Sequence, residues 1–529
     1  MTWGGLASLP GQLNAWGGWR RRGILFLAGA ITTLALPPFN IWPVAFLTLP
    51  FIVWMLEGVT RRRQAFGIGW WFAFGYFCAG WYWISNALLV FSTDLWWMIP
   101  FALVGLPLVM AVYYGLATLI VDSVAGRATG QRLGRCLLLV VGFAGMDMLR
   151  GVLFTGFPWN TFGYLWSGVP ALSQAASLIG VYGMGVLVLL SGFLISMIAT
   201  EGTDNAHAQG RARRRFSLVI VVALPALVFA GGTIRLSLAP DLTQQQADPA
   251  LPGLRMVQAN IPQTEKWGRD FRLRNFQTFL RLSSADRPDW VSTVIWPETS
   301  AAFFIEETPD LRTAAGAFAA PTGGYLITGA PRRVQDPLTL YNALLALNDQ
   351  GDVKARYDKA HLVPFGEYVP LGDYLPFGKV TIGAVDYSPG PGPRTLTLPG
   401  LPPFSPLICY EIIFPGQVID SNHRPEWILN ITNDAWYGHS TGPYQHVQHT
   451  RLRAIEEGLP LVRSASTGVS VAYDGYGREL ARIGLDSSGV RDFRLPPPLA
   501  ETLFASYGNI IALFLITISA IAGMMAIRR

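Results

Sequence analysis

The stretch Pro406-Leu407-Ile408-Cys409-Tyr410-Glu411 ends a short apolar run on a thiol, a phenol and a carboxylate. An apolar run of this kind reads as a buried strand, and strand ends are where distant segments of an α/β domain converge on one site. The same construction recurs at Val291 to Trp296, which leads through Pro297 to Glu298. A third segment, Tyr357-Asp358-Lys359, opens the run Lys359 to Pro370, whose breakers and apolar residues follow neither helical nor strand period and so read as an ordered loop. A base, a cation and a thiol are thus supplied by three places far apart in the chain.

Around these segments the pattern alternates. Strands are expected at Leu254 to Gln258, Val291 to Trp296, Tyr325 to Gly329, Asn342 to Leu347, Pro406 to Ile408, Trp427 to Ile431 and Gly468 to Tyr473. Helices are expected at Arg272 to Leu282, Leu311 to Phe318 and Tyr444 to Glu457. Residues 240–501 therefore read as one α/β domain. Elsewhere the composition changes: the 529-residue chain is 51% hydrophobic and 14% charged, too apolar for a soluble enzyme of that length. Long uncharged stretches fill Ile24 to about Leu236 and Asn509 to Ile527.

A span needs about 20 apolar residues. Eight candidates are expected, at 22–38, 41–58, 66–89, 98–124, 134–150, 170–200, 216–236 and 507–527. The expected organisation is a bundle of seven spans over 1–236, the α/β domain over 240–501, and an eighth span at 507–527. Arginines at 20–22, 61–63, 127, 132, 135, 211, 213–215 and 528–529 fall at the termini and in alternate loops. By the positive-inside rule both termini are cytoplasmic and the large domain lies outside. A cleaved signal peptide is disfavoured for the first span, because Pro37-Pro38 stand where a small-x-small site would be expected. The net charge of +6 belongs to these anchoring arginines, so nucleic-acid binding finds no support.

Cys78 and Cys136 fall within expected spans, which leaves Cys409 alone in the outer domain. A lone thiol outside the cell is a liability unless it is used. Four lysines stand beside 36 arginines, at 266, 354, 359 and 379, so a lysine marks a place where a compact ammonium is wanted. Lys359 is the foremost candidate, and Lys354 reads as a solvated surface residue. A free thiol is mostly protonated at neutral pH and needs a base or a cation to become an effective nucleophile. Glu298 can take the proton, and Lys359 can stabilise the thiolate and the oxyanion formed on attack at a carbonyl. No Cys–His pair is evident among His361, His439, His446 and His449. His446 and His449 have a permissible ligand spacing but no second cluster, so no metal and no cofactor are expected.

Glu298, Lys359 and Cys409-Tyr410-Glu411, in that order, resemble the nitrilase (carbon–nitrogen hydrolase) superfamily. The wider pattern resembles its membrane branch, the apolipoprotein N-acyltransferases. Gln258 to Gln263 with Lys266-Trp267, His361 to Pro370, Asn433 to Ser440 and Gly156-Phe157-Pro158-Trp159 carry that resemblance. It implies a polytopic α-helical membrane bundle of eight spans plus a periplasmic α/β nitrilase-like domain, an αββα sandwich. It implies Glu298 as general base, Lys359 as oxyanion stabiliser and Cys409 as nucleophile. Glu367, Tyr410 and Glu411 would support them, and Trp267 and Trp436 would lie near the mouth of the site. Asp147 stands where the family has a glutamate, with Arg150 three residues on as its expected partner.

The implied reaction is ping-pong acyl transfer in the inner (cytoplasmic) membrane of a bacterium. Cys409 would take an acyl group from a membrane phospholipid as a thioester. The α-amine of a diacylglyceryl-modified N-terminal cysteine on an apolipoprotein would then receive it, the last step of lipoprotein maturation. Two other readings stay open on the residues alone. A membrane-tethered amidase would use the same triad on a small amide. A transporter would need paired charges in its spans beyond Asp147 and Arg150.

Overall fold

The computed structural model describes residues 11, 13, 16–90, 93–126, 131–198, 208–370 and 386–528. Arg127, Lys379 and Arg529, named above, lie outside the described residues, as do the last residues of the sixth expected span. The chain divides into two compact units. One comprises Met1–Ser85, Trp97–Ser237 and Ser506–Arg529, and the other Asn86–Trp96 and Leu238–Ala505.

The first unit is helical. Its main helices are α1 (Gly18–Thr32), α2 (Arg62–Trp81), α3 (Leu106–Ala125), α4 (Arg132–Arg150), α5 (Ala176–Leu194) and α6 (Ala208–Ser237), with a C-terminal helix Ile510–Arg528. Among the described residues four helical segments are long and apolar enough to cross a membrane: Trp96–Ala125, Ala176–Met197, Arg214–Ala247 and Ile510–Arg528. The other expected spans are helices of a different character. Val44–Glu57 is short. Helices α1, α2 and α4 carry arginines at one or both ends, and α4 also holds Asp147. The third expected span departs most from its reading: α2 stops at Trp81, and the chain goes on through a 3-10 turn, Tyr82–Ser85, to Asn86–Leu89. Asn86 Nδ2 donates to the Tyr437 carbonyl at 2.7 Å, and Asn86–Trp96 groups with the second unit.

Small residues set the helix spacing here. A Cβ on Gly29 of α1 would lie 1.9 Å from the Phe72 carbonyl oxygen of α2, and one on Gly75 of α2 would lie 1.9 Å from that of Phe26. Backbone-to-backbone contact of this kind is how apolar helices associate when burial alone supplies no preference between protein and lipid. Deeper in the unit, Arg150 Nη2 meets Asp147 Oδ1 at 2.9 Å, the partnership expected from sequence. Arg150 Nη1 also donates to the carbonyls of Phe157 (2.6 Å) and Trp159 (2.9 Å), while Asp147 accepts from Tyr114 and from the Phe162 amide. The pair thereby pins the Gly156-Phe157-Pro158-Trp159 stretch to the end of α4.

Among the described residues the second unit contains twelve strands in two six-stranded sheets. The first sheet consists of β1 (Gly253–Gln258), β2 (Val291–Ile295), β3 (Tyr325–Val334), β4 (Thr339–Asn348), β5 (Val353–Asp358) and the last strand, β12 (Gly489–Arg494), in the order β12-β1-β2-β3-β4-β5. The second consists of β6 (Leu396–Leu398), β7 (Leu401–Ile408), β8 (Trp427–Thr432), β9 (Leu461–Ala465), β10 (Ser470–Tyr473) and β11 (Glu479–Ile483), in the order β11-β10-β9-β8-β7-β6. At the centre of each sheet the pairing is parallel, β1–β2–β3 in one and β7–β8–β9 in the other.

The period-two rule explains the layers. Leu344 and Ala346 of β4 join Leu254, Met256, Phe404, Leu429 and Val462 in a core made by both sheets. Leu345 and Leu347 point the other way, into a second core with Phe276 and Phe279 of α7 (Arg269–Ser284) and Ala315 of α8 (Pro309–Ala319). Strands buried on both faces read as unbroken apolar runs, which is why they were legible. On the second sheet, α9 (Gly442–Glu457) buries nearly all of its length.

Asp147→Leu leaves Arg150 buried without its counter-charge and should destabilise the protein by roughly 3 kcal/mol. The check is the thermal unfolding midpoint in detergent, with Asp147→Leu/Arg150→Leu recovering a substantial part of the loss.

Candidate active site

Each reactive group stands just beyond the end of a strand. Glu298 follows β2, Lys359 follows β5, and Cys409 follows β7. The three come from both sheets and are all buried. Sequence reasoning placed Glu298 and Cys409 behind their strands; it did not see β5, whose alternating exposure reads as a surface segment.

Cys409 has φ +53°, in the left-handed region where a non-glycine residue costs on the order of 1–3 kcal/mol. Ile408 before it is extended and a 3-10 turn, Cys409–Ile413, follows. The bend turns the thiol out of the strand direction, as a nucleophile elbow does. Two groups hold the bent peptide: Asn430 Nδ2 donates to the Cys409 carbonyl at 3.3 Å, and His446 Nε2 lies 3.3 Å from the same oxygen. His446 is fixed in turn by Asp434, with Nδ1 2.9 Å from Oδ1, and Arg463 Nη2 meets Asp434 Oδ2 at 2.5 Å. Arg463 Nη1 also donates to Asn430 Oδ1 at 2.8 Å, which closes the network. Burial and Arg463 push His446 down to about 4, so at neutral pH it is uncharged, and its one N–H serves the Asp434 carboxylate or the Cys409 carbonyl but not both at once. Asp434 is held at about 2, because Arg463 and His446 outweigh its burial. Among the described residues no group of three or more His, Cys, Asp or Glu side chains could hold a metal ion.

Glu411 joins the two sheets. Its Oε1 accepts from Tyr357 Oη (2.8 Å), the Ala360 amide (2.7 Å) and the His361 amide (3.0 Å), and its Oε2 accepts from the Ile408 amide (2.7 Å). The carboxylate thus ties the turn of Cys409 to the loop of Lys359. Tyr410 packs edge-on against His361 and Phe414 and strengthens the same junction.

Glu298, Lys359 and Glu367 share one buried network. Asn342 Nδ2 donates to Glu298 Oε1 at 2.7 Å and to Glu367 Oε1 at 2.9 Å. Lys359 Nζ donates to Glu367 Oε2 at 2.8 Å, and that oxygen also accepts from the Val363 amide at 2.8 Å. Burial raises the Glu298 pKa; Lys359 and Lys266 lower it and Glu367 raises it. Lys359 is raised: burial opposes its charge, but Glu367 and Glu298 outweigh that cost. Burial and Glu298 push the Cys409 thiol up to about 12 against the pull of Lys359, so the group rests as a protonated thiol, with Glu298 as a candidate base.

Trp267 follows Lys266 and Trp436 lies in the 3-10 turn Asp434–Tyr437; both are half-buried. Four groups that shape the site were not singled out by sequence: Asn342, Asp434, Arg463 and Lys266. Asn342 and Arg463 sit inside strands, where an isolated polar residue gives no signal. Lys266 had one, the scarcity of lysine.

The two sheets, the layered helices and a buried Glu, Lys and Cys at strand ends define a nitrilase-type carbon–nitrogen hydrolase domain. The family profile described as Carbon-nitrogen hydrolase matches residues 254–502, and that described as Apolipoprotein N-acyltransferase N-terminal domain matches residues 28–194. A protein named apolipoprotein N-acyltransferase from Rhodopseudomonas palustris is 39% identical, covering 96% of this chain and 95% of its own. One of the same name from Bradyrhizobium diazoefficiens is 38% identical, covering 97% of this chain and 95% of its own. The chain belongs to the apolipoprotein N-acyltransferase family. Among solved structures, an amidase from Nesterenkonia sp. aligns with 47% of this chain and 92% of its own, at 15% identity and a TM-score of 0.34; the assignment does not rest on it.

A Cβ on Gly329 would lie 2.4 Å from the Thr299 amide and 2.7 Å from Glu298 Cα. Gly329→Ala should therefore push Glu298 off its position, costing about 1–3 kcal/mol in stability and roughly tenfold or more in activity. Thermal unfolding and transferase assays on the same preparation check both.

Proposed function

We propose that this chain transfers a fatty acyl group from a membrane phospholipid to the α-amine of a diacylglyceryl-modified N-terminal cysteine on an apolipoprotein. An acyltransferase class and a lipoprotein acceptor accord with the family. The phospholipid donor, the thioester route and the residue roles are our reading, and the observation that carries it is the buried Cys409 thiol under the joint influence of Glu298 and Lys359.

In the first half-reaction Glu298 takes the proton of Cys409, and the thiolate attacks the acyl ester carbonyl. The ammonium of Lys359 stabilises the oxyanion. As the tetrahedral intermediate collapses, Glu298 returns the proton to the departing alkoxide and a lysophospholipid leaves. In the second, the amine attacks the thioester carbonyl, Glu298 receives the amine proton, and the thiolate is expelled and reprotonated. Glu367 holds Lys359 in place and charged, Glu411 fixes the loop against the nucleophile turn, and Tyr410 packs that junction. Trp267 and Trp436 line the approach for lipid chains, where a large amphipathic ring suits a boundary between lipid and polar groups. No cofactor or metal is assigned a part in this scheme.

The proposed setting is the bacterial inner membrane. Eight spans, seven within 1–236 and the last at 507–527, would place both termini in the cytoplasm and the catalytic domain of 240–501 in the periplasm. The alternation of arginine-rich with arginine-free loops supports that orientation. Both substrates are lipid-anchored, so a domain tethered between two spans meets them in two dimensions.

Cys409→Ala should abolish transfer, by roughly 10³-fold or more. Intact-protein mass spectrometry after incubation with phospholipid should show a fatty-acyl adduct on the wild type alone, discharged by a diacylglyceryl peptide. Full activity in the alanine variant would sink the mechanism. Because Glu298 must be ionised to accept the proton and its pKa is raised, activity should be lost as pH falls, with a midpoint above the ordinary carboxylate range. A pH–rate profile for acylation tests this.

A further inference from the structure

Lys266 is the second lysine of the catalytic region, and the mechanism above leaves it without a part. It ends the short helix Gln263–Lys266 after β1 and is buried, with 4% of its surface exposed. Its Nζ donates to the carbonyl oxygen of Glu298 at 2.9 Å, its one hydrogen bond among the described residues. Capping a backbone carbonyl does not require a charge; a glutamine or serine would suffice without the cost of burying an ammonium, which runs to several kcal/mol. The chain elsewhere chooses arginine for positive charge nine times in ten, 36 against four. A buried lysine here points to a need for the charge itself.

The charges of the pocket show what that need is. Glu298 and Glu367 are carboxylates and Lys359 is a single ammonium between them. The other charged groups nearby are already satisfied: Glu411 by three backbone amides and the Tyr357 hydroxyl, and Asp434 by Arg463 and His446. On its own helix, Glu265 turns to Arg274 at the surface. Facing Lys266 are Glu298 and Cys409.

We propose that Lys266 is a charge-balancing fourth member of the site, whose ammonium offsets the second carboxylate so that Glu298 stays ionised and can take the Cys409 proton. With it present, two carboxylates face two ammoniums and the pocket is neutral. The proton transfer moves one negative charge from Glu298 to the Cys409 sulfur, attack moves it on to the oxyanion, and the sum is zero at every stage. Without it the pocket carries one uncompensated negative charge, which Glu298 relieves by keeping a proton. Burial pushes the Lys266 ammonium down to about 8 while Glu298 and Cys409 pull it back, so it is charged at neutral pH. Its contact is with Glu298, through which it acts, so its part in this proposal is that of a positioning residue.

The inference rests on Glu298 and Cys409 being base and nucleophile, and the experiment separates the two questions. The rate of Cys409 alkylation by iodoacetamide, read by peptide mass in the full-length protein, is followed against pH for wild type, Lys266→Gln, Lys266→Met and Glu298→Gln. Glutamine can still donate to the Glu298 carbonyl but carries no charge. The acid limb in Lys266→Gln should move up by about one pH unit or more, with the rate at the wild-type midpoint falling roughly fivefold or more. A uniformly slower reaction with the limb unmoved would mean a purely structural lysine and would overturn the proposal. Lys266→Met, which removes the buried charge and its desolvation cost together, serves the same test should the glutamine variant fail to fold. If Glu298→Gln keeps the wild-type limb, the assignment of the base fails instead, independently of Lys266.

Discussion

The site depends on the carboxylate of Glu411. It accepts four hydrogen bonds, from the amide of Ile408 on one side and from Tyr357, Ala360 and His361 on the other. Those donors belong to the ends of β7 and β5, in different sheets, so this side chain fixes how far the nucleophile turn lies from the loop of Lys359. Buried backbone amides need acceptors, and a buried carboxylate needs donors. Each requirement here is met by the other, which is why a charge can stand inside the domain without a counter-ion of its own. The left-handed turn at Cys409 is held from behind by a second device, Asn430 and His446 on its carbonyl, with Asp434 and Arg463 behind them. The two braces act on the peptides either side of the one joining Ile408 to Cys409 and limit the direction of the thiol.

These braces account for what the sequence disclosed and what it hid. Glu298 and Cys409 were legible because each follows an apolar run, and the run is apolar because its strand is buried on both faces. Lys359 was legible because the chain uses lysine so sparingly. The remaining parts were hidden by the same physics. Strands β5, β11 and β12 are partly exposed and interrupt their apolar residues with charges. Strand β9 is fully buried but carries Arg463, whose charge breaks the apolar pattern and is explained only by Asp434, far away in sequence. Asn342 looks like any polar residue near the start of a strand until Glu298 and Glu367 are seen on its amide. In the helical unit, the charges of α1, α2 and α4 mark loop ends and the Asp147–Arg150 pair, and they separate these helices from the four described segments that hold an apolar stretch long enough to span.

The high pKa of Cys409 looks at first like a defect in the nucleophile proposed for this site. Many reactive thiols are kept as thiolates by a neighbouring imidazolium or helix terminus; this one is pushed up to about 12 and waits as a thiol. For a two-step acyl transfer that arrangement has an advantage. A thiolate of high pKa is intrinsically more nucleophilic once formed, and it is a poorer leaving group once acylated. The first property favours attack on an ester, a sluggish electrophile beside a thioester. The second slows the unassisted loss of the acyl group, and water kept out of a buried pocket slows it further. What the thiol loses in resting ionisation must then be supplied at the moment of attack by a base that is itself ionised and close. Glu411 has four donors to hold its charge, whereas Glu298 accepts from Asn342 and relies on nearby positive charge to offset its burial. On the proposed mechanism the chemistry of Cys409 sets the requirement that Glu298 would meet, and Lys359 and Lys266, which lower the Glu298 pKa, would help it to do so.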